Sequence, residues 1–187
     1  MSAATVDNSR DFKVITLIGV SHFLSHVYHL SLPALFPLIH RAEGISYIDL
    51  GVLTSVFFLT SGLGQTPAGF LVDKIGARPS LFAGMALLAG STTLFALTNN
   101  YTIMLILSFL GGLGNSVFHP ADFSLLNGSV SKARIGRGFG IHGFGGFLGY
   151  ATTPFCAFAL GSLIGWQTTL LIVGVLGLCV LAIMFGA

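Results

Sequence analysis

Apolar residues fall into six long runs with short polar breaks between them. The runs cover residues 14–39, 50–72, 79–97, 101–121, 138–163 and 166–187. Each is close to or above the roughly 20 residues that a helix needs to cross the hydrocarbon core of a bilayer. The breaks read RAEGIS, DKIGAR, TNN and NGSVSKARIGR, with a Gly-containing turn near Ser162 before the last run. In lipid every backbone N–H and C=O must be paired internally, so long continuous apolar runs predict helices. A barrel would show short alternating strands instead. The pattern predicts an all-α membrane protein of six transmembrane helices. Residues 1–13 form a cytoplasmic N-terminal segment and residues 14–187 the transmembrane domain.

Composition agrees. Hydrophobic residues make up 53% of the 187 and charged residues only 7%. Soluble domains carry about 25% charged residues, so this chain could not clothe a surface in water. The net charge of +2 comes from few, scattered basic residues, which argues against a nucleic-acid partner. Those residues do set an orientation, because short cytoplasmic loops hold the excess of Lys and Arg. Arg10, Lys13, Lys74, Arg78, Lys132, Arg134 and Arg137 fall on one side and Arg41 alone on the other. The expected location is the inner or plasma membrane, multi-pass, with the N-terminus in the cytoplasm. The first run is too long for the apolar part of a cleavable signal, so it serves as an uncleaved insertion signal. The chain stops at IMFGA, still apolar and without a basic flank, and reads as a severed piece of something longer. Cys156 and Cys179 show no CxxC spacing and are expected to be small buried hydrophobes. No cofactor is expected.

Polar residues inside these runs carry the candidate chemistry. His22, His26 and His29 are spaced by four and three, so a helix places them on one face. No charged residue lies between Lys13 and Arg41. At about 1.5 Å of rise per residue, His22 and His26 fall near mid-membrane and His29 in the outer third. Ionisable groups at that depth are costly and face a cavity or a partner helix. Imidazole can donate, accept and take up a proton near neutral pH, which suits a proton relay or a substrate contact. Two other readings stay open: hydrogen-bonded glue between helices, or a metal site, for which the sequence commits no third ligand.

His119 and Asp122 share a face of the fourth run. Prolines interrupt the first run (Pro33, Pro37) and the fourth (Pro120), and such broken, polar helices mark a transporter's binding region. Asp122 is the only acidic residue in or bordering the last four runs. It is expected near the cytoplasmic end, paired with Arg78. His142 reads equally well as a gate residue or an interfacial imidazole. The GFGIHG stretch follows no strand, so its glycines, with Gly145 and Gly149, point to close helix packing rather than a dinucleotide. HExxH, G-x-S-x-G and paired membrane aspartates are all absent, so no enzyme is expected.

The most specific stretch is GFLVDKIGARPS, residues 69–80. Gly69 would let the second helix approach a neighbour, Asp73 and Lys74 end that helix, Gly76 permits a tight turn, and Arg78 opens the next helix. The stretch resembles the G-x-L-x-D-[RK]-x-G-[RK]-[RK] motif of the major facilitator superfamily. It matches at Gly69, Leu71, Asp73, Lys74, Gly76 and Arg78, with Ala77 in place of the first basic residue of the final pair. SHFLSH, LSLPALFPLI and SVFHP are similar to the fosmidomycin-resistance type within that superfamily. The chain departs from superfamily antiporters at Ser108, where they often carry arginine. Gly145, Gly146, Gly149 and Pro154 only echo their fifth-helix motif.

The resemblance implies two three-helix inverted repeats forming the N-terminal half of a twelve-helix transporter. It implies proton-driven export of a drug or metabolite by alternating access. His22, His26, His29 and His119 would lie on the substrate or proton path. Gly69, Asp73, Lys74, Gly76, Arg78 and Asp122 would form a cytoplasmic gate. The implied partners are a small-molecule substrate, protons, the lipid bilayer, and a missing C-terminal half or a second copy of this chain. The rival readings are uptake of an organic anion or a metal ion, and a non-transporting membrane scaffold or regulator.

Overall fold

The computed structural model describes residues 8–186. Residues 1–7 of the expected N-terminal segment and Ala187 lie outside the described residues. Seven helices follow in order: α1 (Asn8–Glu43), α2 (Tyr47–Ile75), α3 (Ala77–Phe95), α4 (Tyr101–Ser116), α5 (Phe118–Ser129), α6 (Ile135–Ile164) and α7 (Trp166–Gly186). No strand occurs among the described residues.

The helix ends follow local chemistry. Ser46 caps α2 by accepting from the backbone N–H of Asp49 at 3.1 Å, and its hydroxyl donates back to the Asp49 carboxylate at 2.7 Å. The first of these bonds satisfies a donor that the helix start leaves open, and the second fixes the serine rotamer that makes it. Asn100 caps α4 by a single bond, its Oδ1 accepting from the N–H of Ile103 at 3.1 Å. Gly76 and Gly165 turn the chain at φ +94° and +88°, a region that disfavours residues with a side chain.

Of the two expected proline interruptions, one is corrected and one is found. Pro33 and Pro37 do not interrupt the first helix, since α1 runs unbroken for 36 residues. The fourth run does break, at Val117, and continues as α5 to Ser129. A proline ring crowds the carbonyl four residues earlier. For Pro120 that carbonyl belongs to Ser116, the last residue of α4. Along α1 the packing against α6 keeps the flanking turns in register.

Among the described residues four helical stretches are long and apolar enough to cross a membrane: Tyr47–Ile75, Tyr101–Ser129, Ile135–Ile164 and Trp166–Gly186. The histidines and serines of α1 dilute its apolar character. The bundle is apolar outside and partly polar inside. Phe70, Phe147, Phe155 and Leu163 are exposed, whereas Ser21, His22, Ser25, Asn115, Asp122 and His142 are buried. Cys156 and Cys179 are exposed too, contrary to expectation. They lie on outward faces, where lipid rather than protein can supply the apolar surroundings. Among the described residues three apolar clusters are buried, one around Leu81, Met85, Phe118 and Met184, one around Leu35, Leu50, Leu53, Met104 and Leu170, and a smaller one of Ile15, Ile18, Leu126 and Val130.

Candidate functional site: a histidine and carboxylate cluster

Glycines bring α6 onto α1. A Cβ added at Gly145 would stand 2.8 Å from the Gly19 carbonyl oxygen, and one at Gly149 2.7 Å from that of Phe23. At Gly146 it would stand 2.9 Å from Nε2 of His22 and 3.1 Å from Nε2 of His26. The absent side chains thus leave the space that the histidines of α1 occupy. Small residues that let helix backbones approach are a general device of membrane bundles.

At this contact Asp122 of α5 is fully buried. Its Oδ2 accepts from Nε2 of His142 at 3.2 Å and lies 3.4 Å from Nδ1 of His22. The His22 and His142 rings stack, with centroids 3.6 Å apart and planes 19° from parallel. His26 and His119 meet His22 edge to face at 4.5 and 5.0 Å. Five of the six histidines therefore belong to one connected cluster, which His29 closes at its far end, 5.1 Å from His26.

His29 is held differently. The Asn115 amide donates to its Nε2 at 2.8 Å and to Ser61 Oγ at 2.8 Å. With Nε2 accepting, a neutral His29 carries its proton on Nδ1 and donates it to the Tyr150 hydroxyl at 3.1 Å. By contrast both ring nitrogens of His26, Nδ1 of His119 and Oδ1 of Asp122 have no hydrogen-bond partner among the described residues. Buried polar atoms are nearly always paired. Open valences concentrated on one cluster mark it as a place where a proton, a polar molecule or an ion can be received.

The donors also have metal-ligand spacing. One ligand atom from each of His22, His26 and His119, or from each of His22, Asp122 and His142, falls within 4.8 Å of the others. The third ligand that the sequence did not commit is thus supplied by α5.

The expected gate is changed in two places. Asp122 does not pair with Arg78. Because α5 continues to Ser129, Asp122 lies about 10 Å in from the helix end, seven residues at about 1.5 Å each. Arg78 is exposed at the start of α3, donates to the Met184 carbonyl at 3.4 Å, and lies 5.4 Å from the Phe82 ring centre. Nor is Gly69 a point of close approach, since a Cβ there would meet nothing within 4 Å. Gly76 makes the expected turn, and Asp73 and Lys74 are exposed at the end of α2. The residue that sequence reasoning underrated is His142. Its only signal was a histidine one helical turn before a run of glycines.

An apolar helical shell around a buried titratable cluster defines the class: a polytopic membrane protein with a polar interior. The chain belongs to the Major Facilitator Superfamily, whose family profile matches residues 18–187. It is 30% identical over 156 residues to a fosmidomycin resistance protein of Escherichia coli, covering 83% of this chain and 38% of the relative. It is 28% identical over 140 residues to a probable L-galactonate transporter of the same organism, covering 75% and 31%. A probable nitrate transporter of Staphylococcus carnosus is 27% identical over 156 residues, covering 83% and 39%. The chain therefore spans about a third of the length of the curated relatives it matches.

Proposed function

We propose that this six-helix unit is the N-terminal half of a secondary transporter that exports a small molecule by alternating access, coupled to protons. In this reading α1 and α3 also cross the membrane, the N-terminus is cytoplasmic, and a second six-helix unit completes the path. The observation that carries it is the fully buried Asp122 carboxylate shared between two imidazoles. A buried charge is costly unless paired, and such residues in membrane helices commonly serve ion or substrate paths. His26, with both nitrogens open beside Gly146, is the member best placed to exchange a proton or meet substrate. The exposed Asp73–Arg78 turn would bias the opening of the cytoplasmic side.

A second reading is uptake of an anion or a divalent metal ion, favoured by the two metal-capable groups and by relatives named for nitrate and L-galactonate. The test is reconstitution of the complete protein in liposomes, with substrate movement followed under an imposed pH gradient and at equal pH. Accumulation driven by the gradient supports proton coupling. Movement indifferent to the gradient would remove it.

A further inference from the structure

The ring planes of the cluster separate its two metal-capable groups. An imidazole nitrogen offers its lone pair in the plane of its ring. His22 and His142 stack with planes 19° apart and centroids 3.6 Å apart, so the two planes do not meet within reach of a shared ion. The planes of His22 and His26 cross at 64°, those of His22 and His119 at 61°, and those of His26 and His119 at 89°. Rings set this steeply can aim three lone pairs at one point, and one ligand atom from each falls within 4.8 Å of the others. Both nitrogens of His26 and Nδ1 of His119 have no hydrogen-bond partner among the described residues. Asp122 stands behind His22, with Oδ2 3.4 Å from Nδ1. A carboxylate there keeps the proton of a neutral His22 on Nδ1 and the lone pair on Nε2. That Nε2 lies on the same side as Nε2 of His26, since a Cβ at Gly146 would stand 2.9 and 3.1 Å from the two.

We infer that His22, His26 and His119 bind one divalent first-row transition-metal ion of the zinc type, with Asp122 positioning His22 from behind. The inference deepens the metal-ion reading of this cluster and rests on it. Three imidazoles with a fourth position left open are a zinc set. Neutral imidazole suits zinc, cobalt, nickel and copper, whereas magnesium and calcium take oxygen ligands. A ligating histidine almost always donates its other N–H to a carboxylate or carbonyl, and Asp122 holds that place for His22. Nitrogens on a tetrahedral zinc ion stand about 3.4 Å apart, as bonds of about 2.0–2.1 Å require, so the three rings must draw in slightly. His26 is free to turn, because neither of its nitrogens is tied. His26 and His119 are half-buried, which leaves the ion a way in. His29, engaged at both nitrogens by Asn115 and Tyr150, and His142, stacked on His22, stay outside the ligand set.

The test uses the complete protein, purified in detergent without a polyhistidine tag and stripped by a chelator. The probe is Co²⁺ at about pH 8, where an ordinary imidazole is neutral. The visible d–d absorption of four-coordinate cobalt is expected, saturating at one ion per chain, abolished by an equivalent of Zn²⁺ and untouched by millimolar Mg²⁺. Cobalt affinity should fall roughly a hundredfold or more in His26→Gln and in His119→Gln, and by about 10–100-fold in Asp122→Asn. His142→Gln should keep the parental spectrum, and so should His40→Gln, whose ring bonds the Ile45 carbonyl outside the cluster. Helix content and elution volume check that each variant is folded. Zn²⁺ should also raise the thermal midpoint of the parent and not that of His26→Gln. Absence of the cobalt spectrum in the parent overturns the inference without any variant being needed. So does parental affinity in a folded His119→Gln, or loss of the spectrum in His142→Gln alone, which would move the ion to the Asp122 group. Transport is read separately, in liposomes: cobalt bound but not carried would remove metal uptake and leave the site standing.

Discussion

The His142 ring stacks on that of His22 at 3.6 Å, and both imidazoles reach the same oxygen of Asp122. Three helices thus meet on one carboxylate, and the contact fixes how α6 and α5 sit against α1.

The glycine contacts predict a graded steric series. Gly149→Ala would drive a Cβ to 2.7 Å from a backbone oxygen, which cannot swing aside. Overpacking of this kind costs about 1–3 kcal/mol. Thermal unfolding in detergent should show a lower midpoint for Gly145→Ala and Gly149→Ala. Gly69→Ala and Gly140→Ala, which meet open space, should unfold like the parent.

Asp122 and Arg78 should act independently. In the complete transporter Asp122→Asn is expected to abolish gradient-driven accumulation, while Arg78→Gln alters rate alone. The pair combined should give the sum of the two single effects on the logarithm of rate, as separated sites do. A coupling well outside measurement error would show that the two side chains meet during the cycle.

His26→Gln keeps hydrogen bonding and removes titration. It should lose proton-driven accumulation and keep counterflow at equal pH. His22→Gln should act similarly, and His29→Gln least, because Asn115 and Tyr150 already engage both of its nitrogens. If His26→Gln accumulates substrate like the parent across the pH range, the histidine row is structural.

Outside the membrane span, Asp11 ties the start of α1 to the α5–α6 turn. The Ser131 hydroxyl first, and then Arg134, hold its carboxyl below its ordinary value of 3.8. A depressed pKa adds stability that is complete above the unfolded value and fades as pH falls through the folded one. The thermal midpoint of Asp11→Asn should therefore lie below the parent's at pH 7, and the two should converge below about pH 3.8. A constant gap at all pH values would show that packing, not charge, is what the variant removes.

The sequence by itself determined the membrane class and nearly all the helices. Hydrophobic run length and loop chemistry are local, and backbone pairing in lipid leaves the chain little choice. It also determined the family, since the 69–80 stretch carries its residues in one turn. Helix periodicity likewise put His22, His26 and His29 on one face.

Tertiary structure decided what that face meets. Pro33 and Pro37 looked like breaks and are not, whereas Pro120 is, because the outcome depends on the neighbours that hold each turn. Asp122 lay two helical turns deeper than expected, since α5 extends past the apolar run into the polar NGS sequence. His142 could not be linked to His22 from the chain, as 120 residues separate them and only the glycine face of α6 brings them together. Which helices touch is set by the complementarity of whole faces, and a single chain's residue pattern does not encode that pairing position by position.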